Sequence, residues 1–296
     1  MMTRIAYLAS QATLPGSPVR RSDAFEHDRM MAALRPAFAA DGLEVEDIDW
    51  ADPQADWSGY AAVLIGTCWD YMDRPSAFLE ALRRIEGQTR LYNPAGLVAW
   101  NSHKSYLKTL ETRGARLIPT LWLDQVTDAD VARAFEDLGD DLVFKRQIGA
   151  GAGGQHRLQK GQPVPDMTEP MMVQPFLPRI QSEGELSFIF IDGLFSHALL
   201  KQAADGDYRI QSSYGGVETA LIPDPADLAA AEQVHAALRD PPLYARVDML
   251  RDEDGSLLLM ELELIEPYLY PVEGPELGAR LSAGLIRRLR HPAGEI

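Results

Sequence analysis

The chain has 296 residues, of which 46% are hydrophobic and 24% charged, and its formal net charge is −16. This composition is that of a globular protein, and the acidic balance disfavours binding to nucleic acid or to an anionic membrane. The single cysteine, Cys68, excludes an intrachain disulfide framework, and no apolar run approaches the roughly 18 residues of a membrane span. The N-terminus leads directly into a strand pattern rather than a secretory signal, so we expect a cytoplasmic protein of two or three subdomains.

The first hundred residues alternate between strands and helices, which predicts a small parallel α/β layer. Strands are predicted at 4–9, 43–48 and 61–65, and helices at 76–85 and from Asp23, with Glu26 as its capping-box partner, to a closing Gly42. Ligands of such sheets lie beyond the carboxyl ends of the strands. The substrate candidates there follow the third strand: Trp69, Asp70, Tyr71 and Arg74. Ordinary packing between subdomains is the alternative for Trp69 and Tyr71.

The remaining chain predicts a mixture of helices and strands with subdomain boundaries near residues 100 and 177. A helix over 101–113 ends at Gly114. Strands are predicted at 142–148, 171–177, 186–192, 194–200, 245–250 and 257–265, and a helix at 226–238. The pairs Asp192-Gly193 and Asp254-Gly255 are typical of tight hairpin turns.

The second of these hairpins carries charged side chains on one face. With a two-residue turn at 254–255, Asp248 faces Glu261 and Arg246 faces Glu263. The other face is wholly apolar: Ala245, Val247, Met249, Met260, Leu262 and Leu264. Opposed carboxylates repel in a bare sheet, whereas a divalent cation with oxygen ligands, magnesium or manganese, would convert that repulsion into ligation. Asp248, Glu261 and Glu263 are therefore predicted metal ligands.

A solvated strand face is the alternative interpretation of this hairpin. It explains the polarity, but it does not explain why Leu250, Leu259 and Ile265 share the charged face. The pairing itself depends on the assumed turn, because a bulge in either strand would change it.

A glycine-rich loop follows the strand that carries Lys145. The run Gly149-Ala150-Gly151-Ala152-Gly153-Gly154 contains a GxGxxG pattern, but no helical periodicity follows it, and the Gly-Lys-Ser/Thr of a phosphate-binding Walker loop is missing. The sequence therefore predicts a flap whose amides approach phosphate, with a plain flexible hairpin as the alternative.

Three lysines are candidates for binding a nucleotide triphosphate. Lys145 lies in an apolar strand, where an ammonium is costly unless an anion pairs with it. Lys104 is predicted near the positive end of the 101–113 helix, and Lys201 closes a strand. Further along, Arg209 could hold a substrate carboxylate, with amides near Gly215 and Gly216 facing an oxyanion; a surface arginine is the alternative.

These residues in this order resemble the ATP-grasp superfamily of carboxylate–amine ligases over essentially the whole chain. The segments 246–248 and 260–263 are close to D-alanine–D-alanine ligase, and glutathione synthetase is a more distant likeness. Other segments look like the branch that contains the cycloserine-forming cyclo-ligase: Trp69-Asp70-Tyr71, Asn93-Pro94, 100–104, 184–187, 195–197, 206–209 and 261–267. The resemblance implies an α/β protein of ATP-grasp fold, in which an N-terminal parallel α/β domain (1–100) precedes two α+β subdomains (101–177 and 178–296) that clasp ATP.

The resemblance also implies a role for each candidate residue. The implied nucleotide-binding residues are Lys104, Lys145, Gly151, Gly153, Gly154, Gln174, Phe176, Leu177, Glu185 and Lys201. Among them, Glu185 would accept hydrogen bonds from the ribose, and residues 174–177 would form the hinge at the adenine. Arg246, Lys201 and Arg209 would be catalytic, with Arg246 stabilising an acyl phosphate. Many members have asparagine where this chain has Glu263, so the implied metal site is more anionic than the superfamily pattern.

The implied activity is ligation at the expense of ATP. A small carboxylate would become an acyl phosphate with the help of magnesium, and an amine would then attack it, in the same molecule or in a second one. No protein nucleophile is required, and a lone strand-end cysteine such as Cys68 is typically a packed small residue. One alternative is a non-catalytic ATP-binding regulatory or docking protein with the same fold. A dinucleotide-dependent oxidoreductase is disfavoured by the missing helix. Because the superfamily is often dimeric, a homodimer is a further expectation.

Overall fold

The computed structural model describes residues 2–149, 154–204 and 215–291, which build three separate sheets. The first is a four-stranded parallel sheet of order β2-β1-β3-β4. Its elements are β1 (Thr3–Ala9), α1 (Phe25–Ala40), β2 (Leu43–Asp49), β3 (Ala62–Ile65), α2 (Pro75–Glu86) and β4 (Arg90–Tyr92). The prediction of an N-terminal parallel α/β layer is confirmed.

The capping box predicted for α1 is wrong. The helix begins at Phe25, and Ala24 at its N-cap makes no side-chain cap hydrogen bond. The carboxylate of Asp23 instead accepts from Arg21 Nε at 2.8 Å, so the ion pair replaces the cap. At the other end Gly42 adopts a φ of +77°, the left-handed conformation that closes helices.

The single helix predicted over 101–113 is also wrong, because the structure divides this stretch. Helix α3 (Ala95–Asn101) ends first, and α4 (Tyr106–Thr112) begins after a turn that contains Lys104. The Lys104 amide donates to Gln147 O at 2.8 Å, which fixes the turn against the second sheet. Helix α4 packs in the core of the third sheet, where Leu107 lies in one cluster with Phe188.

The second sheet is antiparallel, with order β5-β8-β6-β7. Its elements are β5 (Leu121–Leu123), α5 (Asp128–Leu138), β6 (Asp141–Arg146), β7 (His156–Gln159) and β8 (Met171–Pro175). A capping box between Thr127 and Asp130 starts α5, which buries Val131 and Phe135 on the sheet. The element after the glycine loop is therefore the strand β7, and not the helix that a dinucleotide-binding fold requires.

The third sheet is antiparallel with five strands in the order β11-β10-β9-β12-β13. After the short helix α6 (Arg179–Ser182) come β9 (Glu185–Ile191), β10 (Leu194–Gln202), β11 (Val217–Leu221), α7 (Pro225–Ala236), β12 (Tyr244–Arg251), β13 (Leu257–Glu263) and α8 (Leu277–Arg290). The turn predicted between β9 and β10 is confirmed, since Asp192 and Gly193 both have positive φ. Within the described ranges no helix is long and apolar enough to cross a membrane.

The β12–β13 hairpin combines a longer turn with a bulge. Asp252 N donates to Ser256 O at 2.9 Å, so three residues form the loop, and the predicted two-residue turn is wrong. The register shifts by one between Asp248 and Met249, which makes Met260 the extra residue of a β-bulge. The three-residue turn shifts the strand pairing by one position, and the bulge shifts it back. The predicted pairing of Asp248 with Glu261 is therefore confirmed.

The bulge also corrects the predicted faces of β13. Leu259 packs with Met249 in the apolar core, whereas Met260 moves to the charged face and packs beside Leu250. The charged face therefore has an apolar end nearest the turn.

Asparagine and tyrosine side chains fasten the third sheet to the preceding segments. Asn93 donates to Leu264 O at 2.7 Å and accepts from Leu243 N at 2.9 Å. Asn101 donates to Leu262 O at 2.9 Å, and Tyr106 accepts from Leu262 N at 2.9 Å. Strand β13, which carries two of the predicted metal ligands, is thus held in place from outside its own sheet.

Candidate active site

Adjacent strands of the third sheet place charged side chains side by side. Lys201 on β10 is opposite Glu185 on β9, and Ser187 on β9 is opposite Asp248 on β12. Asp248 and Arg246 are in turn opposite Glu261 and Glu263 on β13. With Lys104 from the α3–α4 turn, these charged residues are called the charged row below: Lys104, Glu185, Lys201, Arg246, Asp248, Glu261 and Glu263.

Lys201 lies at the buried end of the charged row. Its Nζ is 2.8 Å from Glu185 Oε1 and 3.2 Å from Asp248 Oδ1, and all three side chains are at most 6% exposed. The second oxygen of Glu185, Oε2, is buried without a hydrogen-bond partner. Glu185 therefore pairs with Lys201. The resemblance instead implies that Glu185 accepts hydrogen bonds from the ribose.

Arg246 connects two carboxylates of the charged row. Its Nε donates to both oxygens of Asp248, at 3.0 and 3.1 Å, and its Nη2 donates to Glu263. Nη1 donates to Tyr268 O at 3.1 Å, so the guanidinium has little freedom. Asp248 also accepts from the Ser187 hydroxyl.

Lys104 joins the charged row from the α3–α4 turn, and one further lysine approaches the row from the second sheet. Lys104 pairs with Glu261. Lys145 lies on β6, where the charges of Glu261, Lys104 and Glu185 act on the pKa of its ammonium group. The structure therefore brings together the three lysines that the sequence singled out, although Lys104 lies in a turn and not within a helix.

Burial and neighbouring opposite charges shift the pKa values of these groups in opposite directions. Burial lowers the pKa of Lys145 to about 8. Burial raises the pKa of Glu185 to about 7 despite Lys201, and that of Glu263 to about 7 despite Arg246. For Asp248, burial is outweighed by Arg246 and Lys201, which hold the pKa below its usual value. Such opposed shifts within one cluster are typical of functional sites.

The three predicted metal ligands lie on neighbouring strands but pair with protein cations. In the part of the chain that the structure describes, no three histidine, cysteine, aspartate or glutamate side chains are placed to hold a metal ion. The chemistry of Asp248, Glu261 and Glu263 nevertheless fits magnesium or manganese, because all three offer carboxylate oxygens. Their partners are without exception cationic or hydroxyl groups, so the set already attracts positive charge.

An apolar surface adjoins the charged row near the turn of the β12–β13 hairpin. Leu177, from the predicted hinge, packs in a small cluster with Ile118, Leu250 and Leu258, beside Met260. Gln174 is 2% exposed and donates to Thr120 Oγ1 at 3.0 Å, while its Oε1 is buried without a partner. The Arg157 guanidinium stacks over the Phe176 ring at 3.4 Å.

Part of the predicted site lies outside the described residues, namely Gly151, Gly153 and Arg209. Of the other glycines, Gly154 has a φ of +69° and Gly215 a φ of +84°, and Gly216 directly precedes β11. A side chain at Gly154 would also crowd the flexible Arg146 side chain, but the positive φ is the stronger reason for a glycine at that end of the loop.

The predicted substrate residues of the N-terminal sheet make contacts mainly within their own domain. Tyr71 is 8% exposed and packs on Phe78 in the core, and the Trp69 ring lies beneath Arg21 at 5.2 Å. Asp70 accepts from Arg74 at 2.5 Å and from Trp50 Nε1 at 2.6 Å. Cys68 is fully buried in the same core, as expected of a packed thiol.

Sequence reasoning missed the residues that orient the charged row. Ser187, Asn101 and Tyr106 contact Asp248 or the backbone of β13. The sequence placed Ser187 and Asn101 in motifs quoted without a role, and it gave no signal for Tyr106. A cavity of about 840 Å³ does lie elsewhere, lined by residues such as Gly42, Ala61 and Arg90. It opens at the amino ends of the parallel strands, away from the edge where such sheets bind ligands.

Comparison with known proteins agrees with the fold. A family model described as the N-terminal domain of D-cycloserine synthetase DcsG matches residues 5–93. The crystal structure of D-cycloserine synthetase DcsG has a TM-score of 0.79 and 26% identity, and the match covers 97% of this chain and 99% of that one. D-alanine–D-alanine ligase from Bacillus anthracis has a TM-score of 0.66 at 16% identity, with 97% of each chain covered, and shows the fold alone.

The three sheets and the likeness to these structures identify the fold as that of the ATP-grasp ligases, enzymes of the ATP-dependent C–N bond-forming class. Within that class, the chain is similar to the cycloserine biosynthesis protein DcsG of Streptomyces lavendulae, with 29% identity over 286 residues that cover 89% of this chain and 95% of that protein. The predicted fold and the predicted superfamily are thereby confirmed.

Proposed function

We propose that the protein activates a small carboxylate as an acyl phosphate, with ATP and magnesium, for attack by an amine in the same or a second molecule. The observation that carries this proposal is the convergence of Lys104, Lys145, Lys201 and Arg246 on one row of carboxylates. A triphosphate needs clustered cations, and a net charge of −16 makes such clustering in one place unusual.

The chain's own groups would position the nucleotide. Lys145 and Lys201 would hold phosphate oxygens, Lys104 would exchange Glu261 for a phosphate, and amides of the 149–154 loop would cover the phosphates. The cluster around Leu177 offers an apolar floor for the adenine, with Gln174 and Phe176 beside it. Glu185 would fix Lys201 and present its second oxygen to the ribose.

Asp248, Glu261 and Glu263 would hold magnesium or manganese. The bound ion would supply neutralisation of charge on the phosphates during phosphoryl transfer. Glu263 gives the site one carboxylate more than the usual asparagine, and its pairing with Arg246 offsets part of that charge.

Arg246 and Arg209 are the proposed catalytic arginines on the substrate side. Arg246, fixed by Asp248 and by the carbonyl of Tyr268, would stabilise the negative charge that develops at the activated carboxylate. Arg209 with Gly215 and Gly216 would hold a substrate carboxylate, and the segment 69–74 would form the wall on the N-terminal side.

We also propose that the units acting in the reaction are 1–100, 101–177 and 178–296. Each of the three sheets falls within one of these ranges. Limited proteolysis with and without ATP and magnesium tests the division, because cuts should concentrate near residues 100 and 177.

The experiment that tests the function is a screen for ADP release. Wild-type protein, ATP and magnesium are incubated with single amino acids and small carboxylates, and hydroxylamine is added to trap an acyl phosphate as a hydroxamate. A substrate-dependent release of ADP together with hydroxamate supports the proposal. ATP binding without ADP release for any compound would instead favour the non-catalytic regulatory or docking protein.

A further inference from the structure

Tyr270, in the segment after β13, has a backbone conformation that is unusual for its side chain. Its φ is +49°, in the left-handed region that bulky side chains rarely adopt. The side chain is nevertheless buried, at 7% exposed, and its ring meets that of Tyr268 edge-on with 4.6 Å between the centroids. Strained residues persist only where their surroundings fix them, and they concentrate at functional sites.

Three successive carbonyl groups of the 268–270 segment each accept a hydrogen bond from a different part of the third subdomain. The bonds run from Arg246 Nη1 to Tyr268 O at 3.1 Å, from His197 Nε2 to Leu269 O at 3.0 Å and from Gly274 N to Tyr270 O at 3.0 Å. These bonds hold the backbone of Tyr270 in its strained conformation.

A β-bulge in β10 aims His197 at this segment. The register with β9 shifts between Phe195 and His197, so Ser196 is the extra residue. Because Leu269 O can only accept, His197 Nε2 carries the proton, and Nδ1 accepts from the Ser196 hydroxyl at 3.0 Å. Gly274 lies against the imidazole ring, where a Cβ atom would be 2.3 Å from it. The imidazole is therefore fixed on both sides.

The ring of Tyr270 lies beneath two cations of the charged row. Lys201 Nζ is 5.3 Å from the ring centroid, and Arg246 Cζ is 5.6 Å from it. Both distances are within the reach of a cation–π attraction, which is strongest where the cation is withdrawn from water. Lys201 and Arg246 are only 4% and 8% exposed. One ring thus constrains where both head groups lie.

Asp248 is another contact that these two cations share. Lys201 Nζ is 3.2 Å from Asp248 Oδ1, and Arg246 Nε is 3.0 Å from Asp248 Oδ2. Asp248 is also a proposed metal ligand, and oxygens that ligate a metal are less available to a lysine or an arginine. The face of a tyrosine ring offers magnesium no oxygen ligand, so the contact with Tyr270 does not compete with the metal.

We propose that Tyr270, held by His197 and Gly274, is a positioning residue that keeps Lys201 and Arg246 in place when the metal occupies Asp248. The inference rests on the proposed function, which assigns phosphate contact to Lys201 and charge stabilisation to Arg246. It adds to that function a role for the strained 268–270 segment. The aromatic ring carries the role, and the phenol hydroxyl is not required.

Calorimetric binding of a non-hydrolysable ATP analogue tests the proposal without turnover. With magnesium, Y270L should weaken binding about fivefold, because its side chain gives Lys201 no aromatic face. In EDTA, where Asp248 still holds both cations, Y270L should bind within about twofold of wild type. A merely structural role would weaken binding equally in both conditions. Y270F keeps the ring and should resemble wild type in both.

Turnover is measured as ADP release with a substrate found in the screen above. Y270L should lower kcat about tenfold and Y270F less than threefold. H197L should lower kcat several-fold, and H197Q, which keeps a side-chain N–H donor, should recover most of it. Y60L is the matched control, because Tyr60 is a buried tyrosine with Arg4 4.3 Å above its ring, in the N-terminal sheet. It should keep kcat within about twofold.

The proposal is overturned if Y270F loses as much as Y270L, since the hydroxyl would then be responsible. It is also overturned if Y270L weakens analogue binding equally with and without magnesium, or if Y60L lowers kcat as far. Should Y270L fail to fold, H197L and H197Q apply the same magnesium comparison from outside the charged row. Wild type that binds no analogue or releases no ADP counts against the proposed function, whereas normal wild-type behaviour with an unaffected Y270L counts against the positioning role alone.

Discussion

Replacing Lys201 with methionine removes the cation at the buried end of the charged row. The change keeps most of the aliphatic volume but leaves Glu185, which is 1% exposed, without a neutralising partner. Asp248 keeps Arg246, so the damage centres on Glu185. Removing one partner of a buried ion pair typically destabilises a protein by about 3 to 5 kcal/mol. We expect Lys201→Met to fall at the lower end of that range at pH 8.5.

The loss should depend on pH in a definite direction. Burial raises the pKa of Glu185 from 4.5 to about 7 in the folded protein. The folded state therefore binds a proton that the unfolded state lacks between these values, and the stability linked to Glu185 falls as the pH rises through 7. At pH 5.5 the carboxyl is neutral in both proteins, so the loss in the variant should shrink to about 1 kcal/mol.

Urea unfolding followed by tryptophan fluorescence at pH 5.5 and 8.5 measures both effects, with the midpoint shift converted through the wild-type slope. Lys160→Met is the matched control, because Lys160 and Asp140 are 59% and 76% exposed and their pair contributes about 0.5 kcal/mol or less. Adding Glu185→Gln to Lys201→Met should recover about half of the loss at pH 8.5. Equal losses for both lysine variants, or a Lys201→Met loss that grows towards acid pH, would refute the reasoning.

Three other changes probe the nucleotide, the metal and the hairpin. Glu261→Gln should lower magnesium-dependent ADP release about a hundredfold or more while thermal stability stays nearly constant; unchanged magnesium titrations would contradict the metal assignment. Lys145→Ala should weaken ATP binding about tenfold at pH 7. Because the pKa of Lys145 is about 8, wild-type affinity should fall towards that of the variant by pH 9, and equal affinities at pH 7 would argue against phosphate contact. Gly255→Ala should cost about 1 kcal/mol in urea unfolding because its φ is +87°, whereas Gly96→Ala, in a helix with open space around it, should not destabilise.

The sequence was sufficient to predict the charged face of the β12–β13 hairpin, because strand alternation depends only on spacing. It was insufficient for the turn, since a three-residue loop and a bulge at Met260 leave the same pairing at Asp248 as a two-residue turn without a bulge. The bulge compensates for the longer turn because Leu259 and Met260 pack on opposite faces of the hairpin. The spacing of residues along the sequence does not contain that packing.

The break between α3 and α4 could not be predicted from the sequence, for a different reason. Helical periodicity continues across Lys104, yet a hydrogen bond from its amide to Gln147 O, 43 positions further along the chain, fixes a turn there. Partners so distant in sequence also position Asn93 and Tyr244. For these residues the sequence shows which hydrogen bonds the side chain or amide can make, but it does not show which distant residue is the partner.

The burial of the charged row has a consequence for how fast a nucleotide arrives. Surface charges are screened within about 8 Å at physiological ionic strength, whereas pairs such as Lys201–Glu185 lie beneath the surface and are screened far less. The exterior of a protein with a net charge of −16 repels an incoming ATP anion until the ligand is close to the cleft. Moderate salt should therefore accelerate ATP association with this protein, in contrast to the slowing expected of a nucleotide-binding protein with a basic surface.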